Sequence, residues 1–253
     1  MTDLSGKVAL ITGAGQGVGQ GIAFALSAAG ASIVLAGRTL EKVQKTADEI
    51  SQRGGNAIAI ACNVKSADDL AKAVDTAVKE LGGLDILVNN AQEVPLGKLD
   101  DVTDEAFIAG FESGPLASMR LMKLARPHMK ARGGGAIFNF ASSAGIRWDM
   151  TGYGAYGAVK QAIRCLTRAG AAEYGPDNIR VLTIAPHAES PGLKGWFEAN
   201  PEEAAAFFRT IPLGRIGRLE EDIGRAIVAL CGADLDYLTG ATIPLDGGQA
   251  NFD

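Results

Sequence analysis

Cysteine and histidine are both scarce in this chain. Its 253 residues hold 3 cysteines and 2 histidines. Cys62, Cys165 and Cys231 are odd in number and far apart, and neither His128 nor His187 groups with them. That pattern excludes a disulfide framework and offers no zinc-ligand spacing, so no metal site is expected. Buried, reduced thiols in a cytoplasmic protein are the simpler expectation. No run of Lys or Arg occurs, and 24 basic residues against 29 acidic ones leave a formal net charge of −5. Neither nucleic acid nor an anionic membrane is therefore an expected partner. The most apolar stretch, from Ile22 to Ala36, is broken by Ser27, Gly30 and Ser32 and is too short to span a bilayer. Met1 to Lys7 carries neither the basic nor the apolar part of a signal peptide.

Apolar residues make up 47% of the chain and charged residues 21%, which suits a folded core with a solvated surface. No linker, low-complexity tract or internal repeat divides it, so one domain over 1–253 is expected. Short apolar runs predict strands at Val8–Thr12, Ser32–Ala36, Ala57–Ala61, Ile86–Val88, Ala136–Phe140, Arg180–Ile184 and Thr242–Pro244. Between them, helical patterns cover Gly17–Ala29, Leu40–Arg53, Ala67–Leu81, Asp104–Lys130, Tyr153–Tyr174 and Glu220–Cys231. Strands that are apolar throughout belong in a parallel sheet covered on both faces. Regular strand–helix alternation predicts an α/β fold with a doubly wound sheet. The Gly/Pro-rich stretch from Pro186 to Gly195 follows the sixth strand, and a substrate lid is expected at about 187–212.

The first strand runs into Thr12-Gly13-Ala14-Gly15-Gln16-Gly17-Val18-Gly19. Glycines here permit a tight turn and close approach of backbone to phosphate, and the next helix offers its free N–H groups to a pyrophosphate. At the end of the second strand, where a fold specific for NAD places an acid, this chain has Gly37 and Arg38. A guanidinium pairs with a 2′-phosphate, and Thr39 adds a hydroxyl, so NADP(H) is favoured with NAD(H) as the alternative.

Tyr156 and Lys160 lie four apart in a helical stretch, and so on one face. A nearby ammonium stabilises a phenolate, which lets a tyrosine exchange a proton with a substrate oxygen near neutral pH. Upstream, Asn139-Phe140-Ala141-Ser142-Ser143 closes the fifth strand. A hydroxyl there, Ser142 with Ser143 as its local rival, can donate to a carbonyl as charge develops on it.

Together these segments resemble the classical short-chain dehydrogenase/reductase family over nearly the whole chain. The carriers are Thr12-Gly13…Gly17-Val18-Gly19, Asn89-Asn90-Ala91, Ser142, Tyr156…Lys160, Pro186 and Asp246-Gly247-Gly248. The resemblance implies a single Rossmann-type domain, a seven-stranded parallel sheet flanked by helices. It implies Tyr156 as acid/base, Ser142 as carbonyl polariser and Lys160 as the residue that tunes Tyr156 and holds the ribose. The expected cofactor-binding set is Gly13, Gly15, Gln16, Gly17, Val18, Gly19, Arg38, Thr39, Asn63, Val64, Asn90, Ala91, Tyr156, Lys160, Pro186 and Glu189. The expected substrate pocket comprises Gln92, Trp148, Tyr153, His187 and Trp196, which suits an apolar or aromatic small molecule. The implied activity is interconversion of a secondary alcohol and a ketone, and the implied assembly is a homotetramer or homodimer. Imine or C=C reduction, and cofactor binding with weak or lost catalysis, are the alternatives.

Five positions in four segments depart from the family pattern. Gln92 stands where Asn-Asn-Ala is usually followed by glycine. Gly114, followed by Pro115, stands where a catalytic asparagine is usual. Asn63 replaces an aspartate near the adenine. His187 replaces the glycine after Pro186, and Pro191 a threonine, with Ser190 adjacent.

Overall fold

A computed structural model describes residues 2–146 and 151–250, with the side chains at 144, 192 and 196 excepted. Its elements run β1 (Val8–Thr12), α1 (Gly17–Ala28), β2 (Ser32–Gly37), α2 (Leu40–Gln52), β3 (Ala57–Ala61), α3 (Ala67–Leu81) and β4 (Ile86–Asn89). There follow α4 (Asp104–Phe111), α5 (Ala117–Ala131), β5 (Gly135–Phe140), α6 (Gly154–Tyr174), β6 (Ile179–Pro186), α7 (Pro191–Ala199), α8 (Pro201–Phe208), α9 (Arg225–Leu230) and β7 (Thr242–Leu245). The strands form one parallel sheet of 7 in the order β3-β2-β1-β4-β5-β6-β7. This is the doubly wound arrangement expected from the alternation. The order reverses between β1 and β4, and a ligand crevice belongs at their carboxyl ends.

The apolar character of the strands has a simple cause. Along β1, Ala9 and Ile11 pack into one core with Ile22, Leu26 and Ile227, while Val8 and Leu10 pack into another with Leu70, Leu121 and Val181. Successive side chains point to opposite faces, so burial of both faces demands apolar residues at every position. No helix among the described residues is long and apolar enough to cross a membrane. The cysteines divide: Cys62 is buried, Cys231 half-buried and Cys165 exposed. Burial of all three was therefore the wrong expectation, because position 165 falls on the outer side of α6.

The helices are set by local chemistry where their ends agree with the sequence pattern. Ser66 accepts a hydrogen bond from Asp69 N at 3.2 Å, Asp68 and Asp69 occupy the first turn, and Gly82 closes α3 in the left-handed region at φ 86°. Three predicted elements differ. The single helix expected over Asp104–Lys130 is divided by a wide π-type turn at Glu112–Leu116 that contains Pro115, because proline has no N–H for the regular ladder. A second π-type turn, Leu219–Gly224, leads into α9. The stretch where a lid is expected, about 187–212, holds two short helices, α7 and α8, for which no helix was expected, each opening on a proline, a residue that fits the first helical turn.

Helix α1 meets the second π-type turn backbone to backbone. A Cβ at Gly21 would sit 2.5 Å from the Leu219 carbonyl oxygen, and one at Gly224 would sit 2.6 Å from Gly21 O. Gly21→Ala should therefore destabilise the fold by about 1–3 kcal/mol through overpacking. Thermal unfolding with an unchanged melting temperature would show that the two segments can part.

Candidate active site

A crevice of about 1110 Å³ opens at the carboxyl ends of the strands, where the sheet order reverses. Its floor is the glycine turn between β1 and α1. Gly13 and Gly17 adopt φ 68° and 59°, a region that L side chains rarely enter. Asn90 holds this turn in place: its Nδ2 donates to Thr12 O at 2.9 Å and to Gly13 O at 3.2 Å. The backbone N–H groups of Asn90 and Ala91 both donate to Thr12 Oγ1 at 3.1 Å. A Cβ at Gly13 would lie 2.8 Å from Asn90 Nδ2. Gly19 lies beneath, where a Cβ would press within 2.5 Å of Gly13 O, so it serves close packing and does not line the crevice. Gly13, Gly15, Gln16, Gly17 and Val18 do line it. This bare backbone cradle at a helix N-terminus fits a dinucleotide pyrophosphate.

One end of the crevice carries charge. Arg38 and Thr39 line it, as do Asn63 and Val64. Arg38 Nη1 lies 2.9 Å from Glu93 Oε1, with its side chain 67% exposed. Lys65 Nζ holds the same carboxylate at 3.2 Å, and Lys42 Nζ donates to Gln16 Oε1 at 3.1 Å. Lys42 and Glu93 both line the crevice, and neither was among the expected residues. Lys42 had a readable signal, a basic residue four places after Arg38 in the first turn of the next helix. Glu93 had none, because a single acid after Gln92 matches no motif.

The other end brings Ser142, Tyr156 and Lys160 together with Tyr153, Gln92, Pro186 and His187. Ser142 lies two residues beyond the end of β5 and hydrogen-bonds to the Tyr156 hydroxyl. Burial pushes the Tyr156 phenol up to about 12, while the bond from Ser142 pulls against it and neighbouring Tyr153 adds to the rise. Lys160 is buried, and burial brings its ammonium down to about 7. Its Nζ donates to Phe140 O at 2.7 Å and Gln92 Oε1 at 3.3 Å, and lies 5.3 Å from the centre of the Tyr156 ring. Burial thus favours the neutral form of both groups, the phenol of Tyr156 and the amine of Lys160. Such opposed displacements are what burial does to an acid and an amine sharing one apolar wall.

Other expected residues fall variously. His187 packs edge-on against Phe207 of α8 at 5.0 Å between ring centres, and Phe207 also lines the crevice. Phe197 of α7 and Phe208 of α8 pack with their rings tilted, 4.8 Å between centres. Glu189 is exposed and away from the crevice lining, its backbone N–H given to Gly217 O at 3.0 Å; Ser190 and Pro191 line the crevice instead. Trp148 lies outside the described residues, and Trp196 falls on α7 with its side chain outside them. No group of three or more His, Cys, Asp or Glu among the described residues could hold a metal ion.

Known proteins share this architecture. A family model described as enoyl-(acyl carrier protein) reductase matches residues 13–250. The chain is 38% identical over 252 residues to a 12alpha-hydroxysteroid dehydrogenase of Clostridium sp., covering 96% of each. It is 34% identical over 246 residues to a 7alpha-hydroxysteroid dehydrogenase of Escherichia coli, covering 97% of this chain and 94% of the relative. A solved 7alpha-hydroxysteroid dehydrogenase, complexed with NADH and 7-oxo glycochenodeoxycholic acid, superposes with a TM-score of 0.92 at 34% identity, covering 98% of this chain and 96% of that one.

Proposed function

This chain belongs to the short-chain dehydrogenase/reductase family, and from that premise we propose that it interconverts a bulky apolar secondary alcohol and its ketone with NADP(H). The observation that carries the reading is the convergence of Ser142, Tyr156 and Lys160 on one wall of the crevice. A nicotinamide held by the glycine turn, Asn90 and Lys160 would supply or accept the hydride. Tyr156 passes the proton to or from the substrate oxygen. Ser142 steadies that oxygen by donating a hydrogen bond as charge grows on it. Lys160, with its ammonium near the Tyr156 ring, favours the phenolate. Leu193 and Phe207 from the α7–α8 cover line the same space and support an apolar substrate. Two relatives named as hydroxysteroid dehydrogenases support a polycyclic alcohol of that size. A panel of steroid and smaller ketones, assayed with both cofactors, tests the substrate class; no turnover on any of them would sink it. Assembly into a homotetramer or homodimer is supported by exposed Phe107, Ile108 and Met119 on α4 and α5.

Arg38, Thr39 and Lys42 support NADP(H), since charge-assisted bonds from two cations suit a 2′-phosphate. Glu93 favours the second reading, NAD(H), because its carboxylate already engages Arg38 and Lys65. Two variants separate the readings. Under the first, Arg38→Ala should weaken NADPH binding by roughly 10- to 100-fold and leave NADH near wild type. Glu93→Gln should strengthen NADPH by freeing Arg38. Fluorescence titration with each nucleotide reads both, and an Arg38→Ala protein that binds NADPH as wild type does would hand the case to NAD(H).

A further inference from the structure

Two of the departures from the family pattern, Gln92 and Gly114, meet in space. A Cβ at Gly114 would run into the Gln92 side-chain amide, with Nε2 at 2.8 Å and Oε1 closer still. One volume is therefore shared by two positions 22 residues apart, and a side chain at Gly114 would have to displace the Gln92 amide from it. We propose that Gln92 is a positioning residue of the proton-transfer site, taking from the opposite wall the place of the side chain that Gly114 does not have. The proposal rests on Tyr156 and Lys160 being the proton-transfer pair.

The hydrogen bonds fix the amide one way round. Gln92 Nε2 donates to Glu93 O and Gly110 O, both at 2.8 Å, with Ser113 Oγ at 3.4 Å. Those carbonyls can only accept, so the nitrogen must face them. Oε1 is then turned to Lys160 Nζ at 3.3 Å. A flipped amide would set donor against donor at the lysine. The Gly110 bond also has a backbone reason. In the wide turn Glu112–Leu116 the ladder reaches back five residues, and from Pro115 that residue is Gly110. Proline has no N–H to give, and Gln92 gives one in its stead. The side chain thus ties the π-type turn to the lysine.

The consequence falls on the lysine's charge. Of its three N–H donors, two are held by Phe140 O and Gln92 Oε1. Both acceptors favour the ammonium that burial opposes. The titratable groups that line the crevice with it include Tyr156 on its own helix, Tyr153 just before that helix, His187 beyond β6 and Glu93 beyond β4. Glu93 is committed to Arg38 and Lys65. Among the described residues the acceptors at Lys160 are both uncharged, so the neutral oxygen of Gln92 is a principal support of its charge. Loss of that oxygen should leave the phenolate of Tyr156 without its cation at moderate pH.

The test is alcohol oxidation followed against pH in Gln92→Met, Gln92→Gly, Gly114→Asn and the double variant Q92G/G114N. Gln92→Met keeps the volume and removes the acceptor. It should lower kcat about tenfold and move the alkaline rise of kcat up by about one pH unit, with cofactor KM little changed. Gly114→Asn should lose activity through overlap with Gln92. The double variant moves the amide back across the cavity and should exceed both single variants in kcat. A Gln92→Met enzyme with a wild-type pH profile would overturn the proposal even where the other variants fold poorly. A double variant no better than its parents would overturn the exchange with Gly114. Lys160→Met in the same assay keeps the underlying reading separate: if it retains full turnover, the proton-transfer pair itself is wrong, whereas its inactivity beside a normal Gln92→Met confines the failure to Gln92.

Discussion

Replacing Tyr156 with phenylalanine should cut turnover by roughly 10²- to 10⁴-fold, the range a positioned acid/base contributes, while nucleotide binding stays close to wild type. The ring would remain, and with it the edge-on packing against Tyr153 at 6.4 Å between centres. Only the hydroxyl that meets Ser142 is removed. The glycine turn and the Asn90 bonds that shape it lie elsewhere in the crevice. The two directions of reaction should also differ with pH. Burial holds the phenol up to about 12 in the chain alone, so at neutral pH Tyr156 is a proton donor, ready for ketone reduction. Alcohol oxidation needs the phenolate and should climb as pH rises above neutral, earlier than the phenol alone would allow because of the positive nicotinamide and, while it keeps its proton, Lys160. Initial rates in both directions between pH 6 and 10 check this. Wild-type rates in the phenylalanine variant would remove Tyr156 from the chemistry. An inactive wild type that binds nucleotide would instead support a binding protein with lost catalysis.

The legible parts of the molecule are those set by short-range chemistry. β1 reads as a buried strand because both its faces are covered, and α3 reads to the residue because Ser66 and Gly82 mark its ends. The glycine turn, Ser142, Tyr156 and Lys160 are legible as residue types at fixed spacing, and the fold brings them to one crevice. What escaped depends on contacts between distant segments or on residues that can be read two ways. Pro191 and Pro201 look like breaks, yet each opens a helix of the cover. Apolar periodicity runs on through 104–130 and hides the wide turn around Pro115. Glu93 meets Arg38 from the other side of the crevice, 55 residues away in sequence. Gln92 and Gly114 look like two separate losses in the text and become one exchange only when the chain is folded.

Lys160 makes the remaining large prediction, on stability. In the unfolded chain it keeps its proton up to about its ordinary 10.5, whereas in the folded protein burial brings the ammonium down to about 7. Between those values the unfolded state binds more protons, so folding should become more favourable as pH rises through this window. Below pH 7 both states are protonated and the contribution levels off at its most destabilising. Lys160→Met removes the titration and keeps most of the buried stem. Relative to that variant, the wild type should gain about 1.4 kcal/mol per pH unit between roughly pH 7 and 10. The contrast does not depend on what the variant loses when Phe140 O and Gln92 Oε1 give up their donor, because that cost is the same at each pH. Urea unfolding of the two proteins at pH 7, 8 and 9 measures the slope. Parallel curves would mean that the lysine charges as readily inside the protein as outside, and its burial would then explain nothing about Tyr156. A diverging pair would show that an ammonium is costly to hold in this apolar wall, and loss of turnover in the variant would show that the proton transfer at Tyr156 depends on the lysine all the same.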